Sequence, residues 1–157
     1  ELPGEKYLRY VPNADHGLSG TDALETVLAF YASILNNLAR PQFSWKFNQD
    51  GSIRVRSEGE VKEVNMWSAK NPEARDFRKD KIGNSWRSTV LIEEQDGSYK
   101  AMPETPHKGW RAYFVELTYE TPFGIPLKFT TPVRVIPDTL PYQHKPPKEP
   151  KKGFLTK

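Results

Sequence analysis

The strongest constraint on the fold is a regular alternation of apolar and polar residues on either side of residue 120. Apolar side chains recur at every second position over residues 113–119, and the pattern returns over residues 127–135 after a turn-rich connection. Because successive side chains of a β-strand point to opposite faces, each segment predicts a strand with one buried face. The pair therefore predicts two antiparallel strands in a mainly β chain.

Shorter segments upstream carry the same signals. Turn-forming residues at 48–51 and 95–97 lie between extended runs and predict two hairpins. With the pair described above, these runs make about seven strands in roughly 95 residues, a pattern typical of an immunoglobulin-like or fibronectin-like β-sandwich. We therefore expect a β-sandwich domain over residues 42–141. Its earlier strands are predicted at residues 43–47, 53–55, 61–69, 87–94 and 98–102.

The first 40 residues follow a different pattern. Residues 6–11 are aromatic and β-branched and predict a short buried strand, followed by a loop over residues 13–20. Asp22 and Glu25 have the spacing of a capping box, which predicts a helix that ends at Arg40-Pro41. Its apolar face is predicted from Leu24, Val27, Leu28, Tyr31, Ile34, Leu35 and Leu38.

This lone strand and helix have no sheet of their own to bury their apolar surfaces. The order of strand, loop with His and helix is typical of the end of a doubly wound α/β sheet. The chain also begins without Met. We therefore expect a C-terminal part of a longer polypeptide, with residues 1–41 as the incomplete end of an α/β domain, residues 42–141 as the sandwich and residues 142–157 as a flexible Pro/Lys-rich tail.

Composition excludes several functional classes. The absence of Cys excludes a disulfide scaffold and a Cys nucleophile. The longest uncharged stretch, residues 26–39, is shorter than the roughly 20 residues that span a bilayer, so no transmembrane helix is expected. Five lysines from Lys145 onward, against Glu149, leave residues 1–144 with a net charge of −1. We therefore expect no nucleic-acid partner, because the basic residues lie in the tail and not among the aromatic residues of a folded surface.

His16 is the candidate catalytic residue, because a loop after a buried strand is where open α/β folds place their ligands and where an imidazole can act as a general base. The alternative is that His16 is one polar residue of an ordinary loop. His107 and His144 are expected at the surface, and the His spacing supports no metal site. The motif Gly-x-Ser-x-Gly fails at Thr21, so Ser19 is predicted to be a loop or cap residue. No cofactor is expected.

Two further features allow two interpretations each. The charged residues of the loop at 70–85 alternate in sign, which indicates either a solvated, internally paired loop or a loop that reaches the mouth of an active site. The tryptophans are either core residues or a binding platform. Trp45 is predicted to lie in the core, whereas Trp86 and Trp110 are the more plausible exposed anchors.

Several separated motifs, in this order, resemble the C-terminal region of the PhoPQ-activated pathogenicity-related protein family. The resemblance covers nearly all of residues 6–142. The motifs are Tyr7-Leu8-Arg9-Tyr10-Val11-Pro12-Asn13-Ala14-Asp15-His16-Gly17, Trp67-Ser68-Ala69-Lys70-Asn71-Pro72-Glu73-Ala74-Arg75-Asp76-Phe77-Arg78, Gly109-Trp110-Arg111-Ala112-Tyr113-Phe114-Val115-Glu116-Leu117-Thr118 and the segment 126–141, Pro-Leu-Lys-Phe-Thr-Thr-Pro-Val-Arg-Val-Ile-Pro-Asp-Thr-Leu-Pro.

That family is similar to α/β-hydrolases related to serine peptidases, with a β-sandwich after the hydrolase fold. The resemblance implies that residues 1–41 hold the last strand and helix of the hydrolase fold, and that His16 is the triad histidine. The nucleophile and the acid would lie in an upstream hydrolase region of the same polypeptide, so we expect this segment alone to be inactive.

The resemblance also implies a peptide or ester substrate, a virulence association and a periplasmic or extracellular location. The alternative function is a non-catalytic β-sandwich module that binds a protein or a glycan.

Overall fold

A computed structural model describes residues 3–142. These residues form a mainly β fold, which confirms the coarse prediction from sequence. The elements are α1 (Ala23–Leu35), β1 (Phe43–Phe47), β2 (Ile53–Ser57), β3 (Glu63–Asn71), α2 (Lys79–Ile82), β4 (Arg87–Val90), β5 (Tyr99–Ala101), β6 (Trp110–Tyr119), β7 (Leu127–Thr130) and β8 (Arg134–Ile136). Neither helix is long and apolar enough to cross a membrane.

The strands form two antiparallel sheets. The smaller sheet has the order β1-β2-β5, and the larger has the order β4-β3-β6-β7, with β8 also paired to β6. The predicted hairpin between β1 and β2 is confirmed, and its register pairs Trp45 with Val55. The predicted pair near residue 120 is also confirmed, and it makes β6 the centre of the larger sheet.

One core lies between the two sheets. Ile53 and Val55 of β2 are fully buried, as are Tyr113, Val115 and Leu117 of β6. The Tyr113 hydroxyl donates a hydrogen bond to the carbonyl of Gly51, next to β2, which links the sheets by a polar contact. These β6 residues share the inward face that their alternation predicts.

The second predicted hairpin is only partly correct. Its turn is present, because the Gly97 amide donates to the carbonyl of Glu94. However, β4 pairs with β3 of the larger sheet, whereas β5 pairs with β2 of the smaller sheet. Local turn signals do not determine which sheet a strand joins, and residues 91–98 pass from one sheet to the other.

Residues 6–11 do not form the predicted buried strand. The Thr130 amide donates to the carbonyl of Leu8, but the Tyr10 amide donates to the hydroxyl of Thr130 instead of to a backbone carbonyl. The segment then crosses onto the sheet face, where the Tyr10 ring lies 5.7 Å from that of Phe114. A segment that crosses the face cannot continue a ladder along the edge, and Leu8 and Tyr10 remain more than a third exposed.

The helix is confirmed, but its orientation is opposite to the prediction. Thr26, Ala29 and Ser33 are its buried residues, and Ala29 lies in the core. The small residues face the sheets, and Phe30 contacts Phe129 of β7 edge to face. The predicted apolar face points outward instead. Its exposed residues are Leu24 (66%), Val27 (61%), Leu28 (48%), Tyr31 (58%), Ile34 (49%) and Leu35 (66%), and together they are called the outer helix face below.

The helix begins directly after Asp22, as predicted, but it ends earlier than predicted. Asp22 makes no side-chain capping bond, so the predicted capping box is wrong. Its carboxylate binds Arg9 and Lys128 instead. The helix stops at Leu35, before Arg40-Pro41, because Asn37 adopts a φ of 50° and the Leu38 amide donates to the carbonyl of Ser33.

The tryptophan predictions are reversed. Trp45 is 46% exposed on β1, which is an edge strand and has a neighbour on one side only. Trp86 and Trp110 are only partly exposed. Their indole N–H groups donate to the carbonyls of Phe77 and Thr139. The core prediction for Trp45 is therefore wrong, and Trp86 and Trp110 are held by the fold.

Candidate functional site: the His16 loop over the larger sheet

The outer face of β6, the central strand of the larger sheet, is buried nearly as deeply as its inner face. Ala112, Phe114 and Glu116 alternate with the core residues of β6 and therefore point away from the core, yet none is more than 3% exposed. Two segments outside the sheets cover them, residues 7–22 and residues 72–86, which include α2. The candidate site is built where these two segments meet.

A network of charged side chains fixes the first segment to the sheet. The Arg9 guanidinium donates to Glu116 and, at 2.8 Å, to Asp22. Asp22 also accepts a hydrogen bond from Lys128 of β7 at 2.5 Å. The network therefore ties the start of α1 and the start of the chain to two strands.

The carboxylate of Asp22 is ionised in this setting. Burial alone would raise its pKa, because it disfavours the charged form. The hydrogen bond from Lys128 and the charge of Arg9 outweigh burial, so that the pKa of Asp22 lies below its ordinary value. Glu116 has a nearly buried side chain, 4% exposed, and needs the guanidinium of Arg9 to compensate for its lost hydration.

Asn13 joins the two covering segments. Its side-chain amide donates to the carbonyl of Trp86 at 3.1 Å and accepts from the Trp86 amide at 3.0 Å. This reciprocal pair copies the bonding of a β-ladder, and Asn13 adopts a φ of 56°, which Asn tolerates better than most residues. The clamp therefore holds the loop before His16 at a fixed position against residues 72–86.

His16 itself lies in an exposed turn. The carboxylate of Asp15 accepts a hydrogen bond from the Gly17 amide at 3.0 Å, and the Leu18 amide donates to the carbonyl of Asp15. No hydrogen bond joins the imidazole to another residue in the part of the chain that the structure describes, and His16 lines neither of the grooves described below. The exposed imidazole is therefore accessible to a group that approaches from outside residues 3–142.

The charged loop at residues 70–85 is internally paired and also reaches the His16 loop. Arg78 binds Asp76 through two nitrogens, and hydrogen bonds from Arg78 lower the pKa of Asp76 to about 2. The carbonyl of Asp76 accepts a hydrogen bond from the side chain of Asn71 at 2.7 Å. Beyond these pairs, the Lys79 ammonium lies 3.9 Å from the carboxylate of Asp15. The structure therefore shows an internally paired loop that also lies beside the His16 loop, whereas its place at the mouth of an active site stays a prediction.

Two grooves lie side by side on the covered sheet face. The first, called the aromatic groove, has a volume of about 340 Å³ and is lined by Tyr10, Val11, Pro12, Asn13, Ala14, Phe77, Arg78, Lys79, Trp86, Ala112, Phe114 and Val133. The second, called the polar groove, has a volume of about 420 Å³ and includes the network residues Arg9, Asp22, Glu116 and Lys128. Residues 11–13 and Lys79 line both grooves.

The remaining predicted residues lie apart from these grooves or make no catalytic arrangement. His107 is exposed, as predicted, and His144 lies outside the described residues. Ser19 is an exposed loop residue that lines the polar groove, and it does not cap α1. No cluster of potential metal ligands occurs among residues 3–142.

Sequence reasoning missed Arg9, Glu116 and Asn13 as residues that build the site. A signal for Glu116 was present, since an acidic residue stands inside the long apolar run of β6. If both faces of the strand are covered, the carboxylate is buried whichever face it points to, and it then requires a cation nearby. Nothing in the sequence identifies that cation as Arg9.

Comparisons with known proteins agree with the resemblance in the sequence. The chain is 29% identical over 163 aligned residues to the autocrine proliferation repressor protein A of Dictyostelium discoideum, and the alignment covers 88% of this chain. It covers 33% of that relative, so the chain spans about a third of the relative's length. No solved structure matches the chain. Residues 1–78, which include Arg9, Asn13 and His16, match the family described as "PhoPQ-activated pathogenicity-related protein", and these residues belong to that family.

Proposed function

We propose that this chain is the C-terminal part of a serine hydrolase and that His16 is its general base. The observation that carries the proposal is the outer helix face, six large apolar side chains exposed on the helix that follows the His16 loop. Contiguous apolar surface of this kind marks an interaction site. In the proposal, an upstream hydrolase region of the same polypeptide covers this face and brings its nucleophile to the exposed imidazole.

The proposed chemistry is acyl transfer to a serine. The Ser hydroxyl oxygen attacks the carbonyl carbon of a peptide or ester while its proton moves to the imidazole of His16. Collapse of the tetrahedral intermediate breaks the bond to the leaving amine or alcohol, which takes the proton back from His16. Water then repeats the sequence on the acyl-enzyme, releasing the acid and restoring the serine.

The anchoring of the loop supports this role. A general base must be held within hydrogen-bond distance of the proton that it accepts. The Asn13 clamp and the Arg9 network lie on either side of Pro12 and restrain the chain that leads to His16. The proposal assigns residues 1–41 to the end of the hydrolase fold and residues 42–141 to an appended β-sandwich of immunoglobulin or fibronectin type.

A fluorophosphonate probe tests the proposal, because it labels only an activated serine. We expect the polypeptide encoded by the complete reading frame to be labelled and His16→Ala to lose the label. His107→Ala is the matched control, since His107 is also an exposed loop residue, and it is expected to keep the label. Labelling of His16→Ala at the rate of the unchanged protein would show that another group activates the serine.

A periplasmic or extracellular location is part of the same proposal. It is supported by the family resemblance and by the word autocrine in the name of the Dictyostelium relative. Cell fractionation of the native host tests it, and recovery in the cytoplasm alone would contradict it.

A second candidate is a non-catalytic module that binds a protein or a glycan. One observation favours it: Trp45 and Phe47 are 46% and 42% exposed on the edge strand β1. Aromatic side chains on an exposed strand offer apolar faces with well-defined geometry. Under this alternative, Trp45→Ala weakens ligand binding, and the fluorophosphonate probe labels no form of the protein.

A further inference from the structure

The aromatic groove is distinguished by the number of aromatic side chains in its walls. Tyr10, Phe77, Trp86 and Phe114 line it together with Lys79. The Trp86 and Phe114 rings are 5.3 Å apart, and the Phe77 and Trp86 rings are 6.3 Å apart. Its volume of about 340 Å³ lies within the range of small-molecule sites, roughly 300–1,000 Å³.

The walls of this groove are held in position. Phe114 and Ala112 border the groove from beneath its accessible surface, since they are at most 1% exposed. The indole N–H of Trp86 donates to the carbonyl of Phe77, and the Trp86 backbone is held by the Asn13 clamp. A groove whose aromatic walls are already fixed requires little ordering when a ligand binds, which favours affinity.

The rim of the groove carries an available positive charge. Arg78 is neutralised by its two-nitrogen contact with Asp76. Lys79 is 37% exposed, and among the described residues the only carboxylate that forms an ion pair with its ammonium is that of Asp15, at 3.9 Å. Asp15 is itself 65% exposed, so water competes for this long contact. A ligand anion can therefore replace Asp15 at low cost.

We propose that the aromatic groove binds a small aromatic carboxylate, with its ring in the groove and its carboxylate at the Lys79 ammonium. The ring is favoured over an aliphatic chain because aromatic pairs add attraction beyond the apolar area that they bury. The carboxylate is favoured over a neutral or cationic group because the Lys79 ammonium stands at the rim. This site does not depend on the proposed hydrolase activity.

The test uses the matched probes N-acetylphenylalanine and N-acetylphenylalanine amide, which differ only in the terminal charge. Tryptophan fluorescence and ligand-observed NMR measure binding, and we expect both probes to bind saturably. The carboxylate is expected to bind about two- to fivefold more tightly, which is the gain that a half-exposed ion pair provides. Lys79→Met removes that preference and leaves the amide unaffected. Lys81→Met is the control, because Lys81 lies on the same short helix but does not line the groove.

Filling the groove gives a second, independent result. Val133→Trp fills the groove from one wall and Ala14→Trp fills it from another. If one variant fails to fold, the other still tests the proposal. Each is expected to abolish binding of both probes. Unchanged binding in a folded filled variant, no binding to the unchanged protein, or equal affinity for both probes would overturn the proposal. A dimer that a filled variant converts to monomer would assign the groove to a second copy of the chain and would also overturn it.

Discussion

At the scale of single residues, the fold depends on charges buried between irregular segments and a sheet. Arg9 forms ion pairs with two carboxylates, and Asp22 forms ion pairs with two cations. Removing one member of such a network leaves its partner buried without compensation, which costs more than the pair contributes. The network therefore fixes where α1 and the His16 loop begin.

Asp22→Asn tests this network. We expect the free energy of unfolding at pH 7 to fall by about 1–2 kcal/mol, less than for a fully buried pair because the Asp22 side chain is 31% exposed. The pKa of Asp22 is lowered in the folded protein. The unfolded chain therefore binds its proton first, and the contribution of the carboxylate is present above about pH 4 and lost as the pH falls through the lowered pKa.

Urea unfolding of both proteins, at pH 7 and at several values below pH 4, measures this effect. The difference between them is expected to shrink on acidification. Asp15→Asn is the control and should change the free energy by less than about 0.5 kcal/mol, because Asp15 is exposed. A difference that stays constant down to pH 2, or that is absent at pH 7, would show that Asp22 does not act through its charge.

At the scale of secondary-structure elements, α1 shows how a correct helix can carry a wrong orientation. The apolar spacing predicts both the helix and a buried face, and only the helix is observed. The helix packs against the sheets through the face with Ala29 and Ser33, because these small residues let it approach the core closely. The larger apolar side chains then have no partner within the described residues that buries them.

Two neighbouring substitutions distinguish the two orientations. Ala29 is fully buried, so Ala29→Leu overpacks the core and should cost about 1–3 kcal/mol. Leu28 is 48% exposed, so Leu28→Gln should change the free energy of unfolding of the 157-residue chain by less than about 0.5 kcal/mol. Denaturant unfolding measures both. If Leu28→Gln is the more damaging change, the face predicted from the sequence is the buried one after all.

The other elements show what a sequence can and cannot predict. Alternation over residues 113–119 predicts strand and face correctly, because both follow from local geometry. The sheet that β5 joins, the crossing of residues 6–11 and the pairing of Arg9 with Glu116 depend on contacts between distant parts of the chain. For the same reason the sequence indicates a loop with His16 but not the clamp of Asn13 on Trp86 that holds it.

At the scale of the whole molecule, exposed apolar residues fall into two kinds. Val90 and Ile92 are exposed at the end of β4 and Met102 directly after β5, and small groups of this kind are normal for a protein surface. The outer helix face is contiguous, because its residues recur every three or four positions along one helix. The Dictyostelium relative is about three times as long as the aligned segment, and in our proposal additional chain of this kind covers the outer helix face.

The last prediction compares this chain with the longer polypeptide of the proposal. Replacing Leu24, Leu28, Tyr31 and Leu35 with Gln should leave the unfolding midpoint of the 157-residue chain nearly unchanged and reduce its binding of a hydrophobic dye. In the longer polypeptide, the same changes should lower stability by several kcal/mol, because each side chain would lose roughly 1 kcal/mol or more of burial. Changing Val90, Ile92 and Met102 to Gln is the control and should affect both forms equally. Equal effects of the helix substitutions in both forms would mean that the upstream region does not cover α1, and the exposed imidazole of His16 would then lose its proposed neighbour.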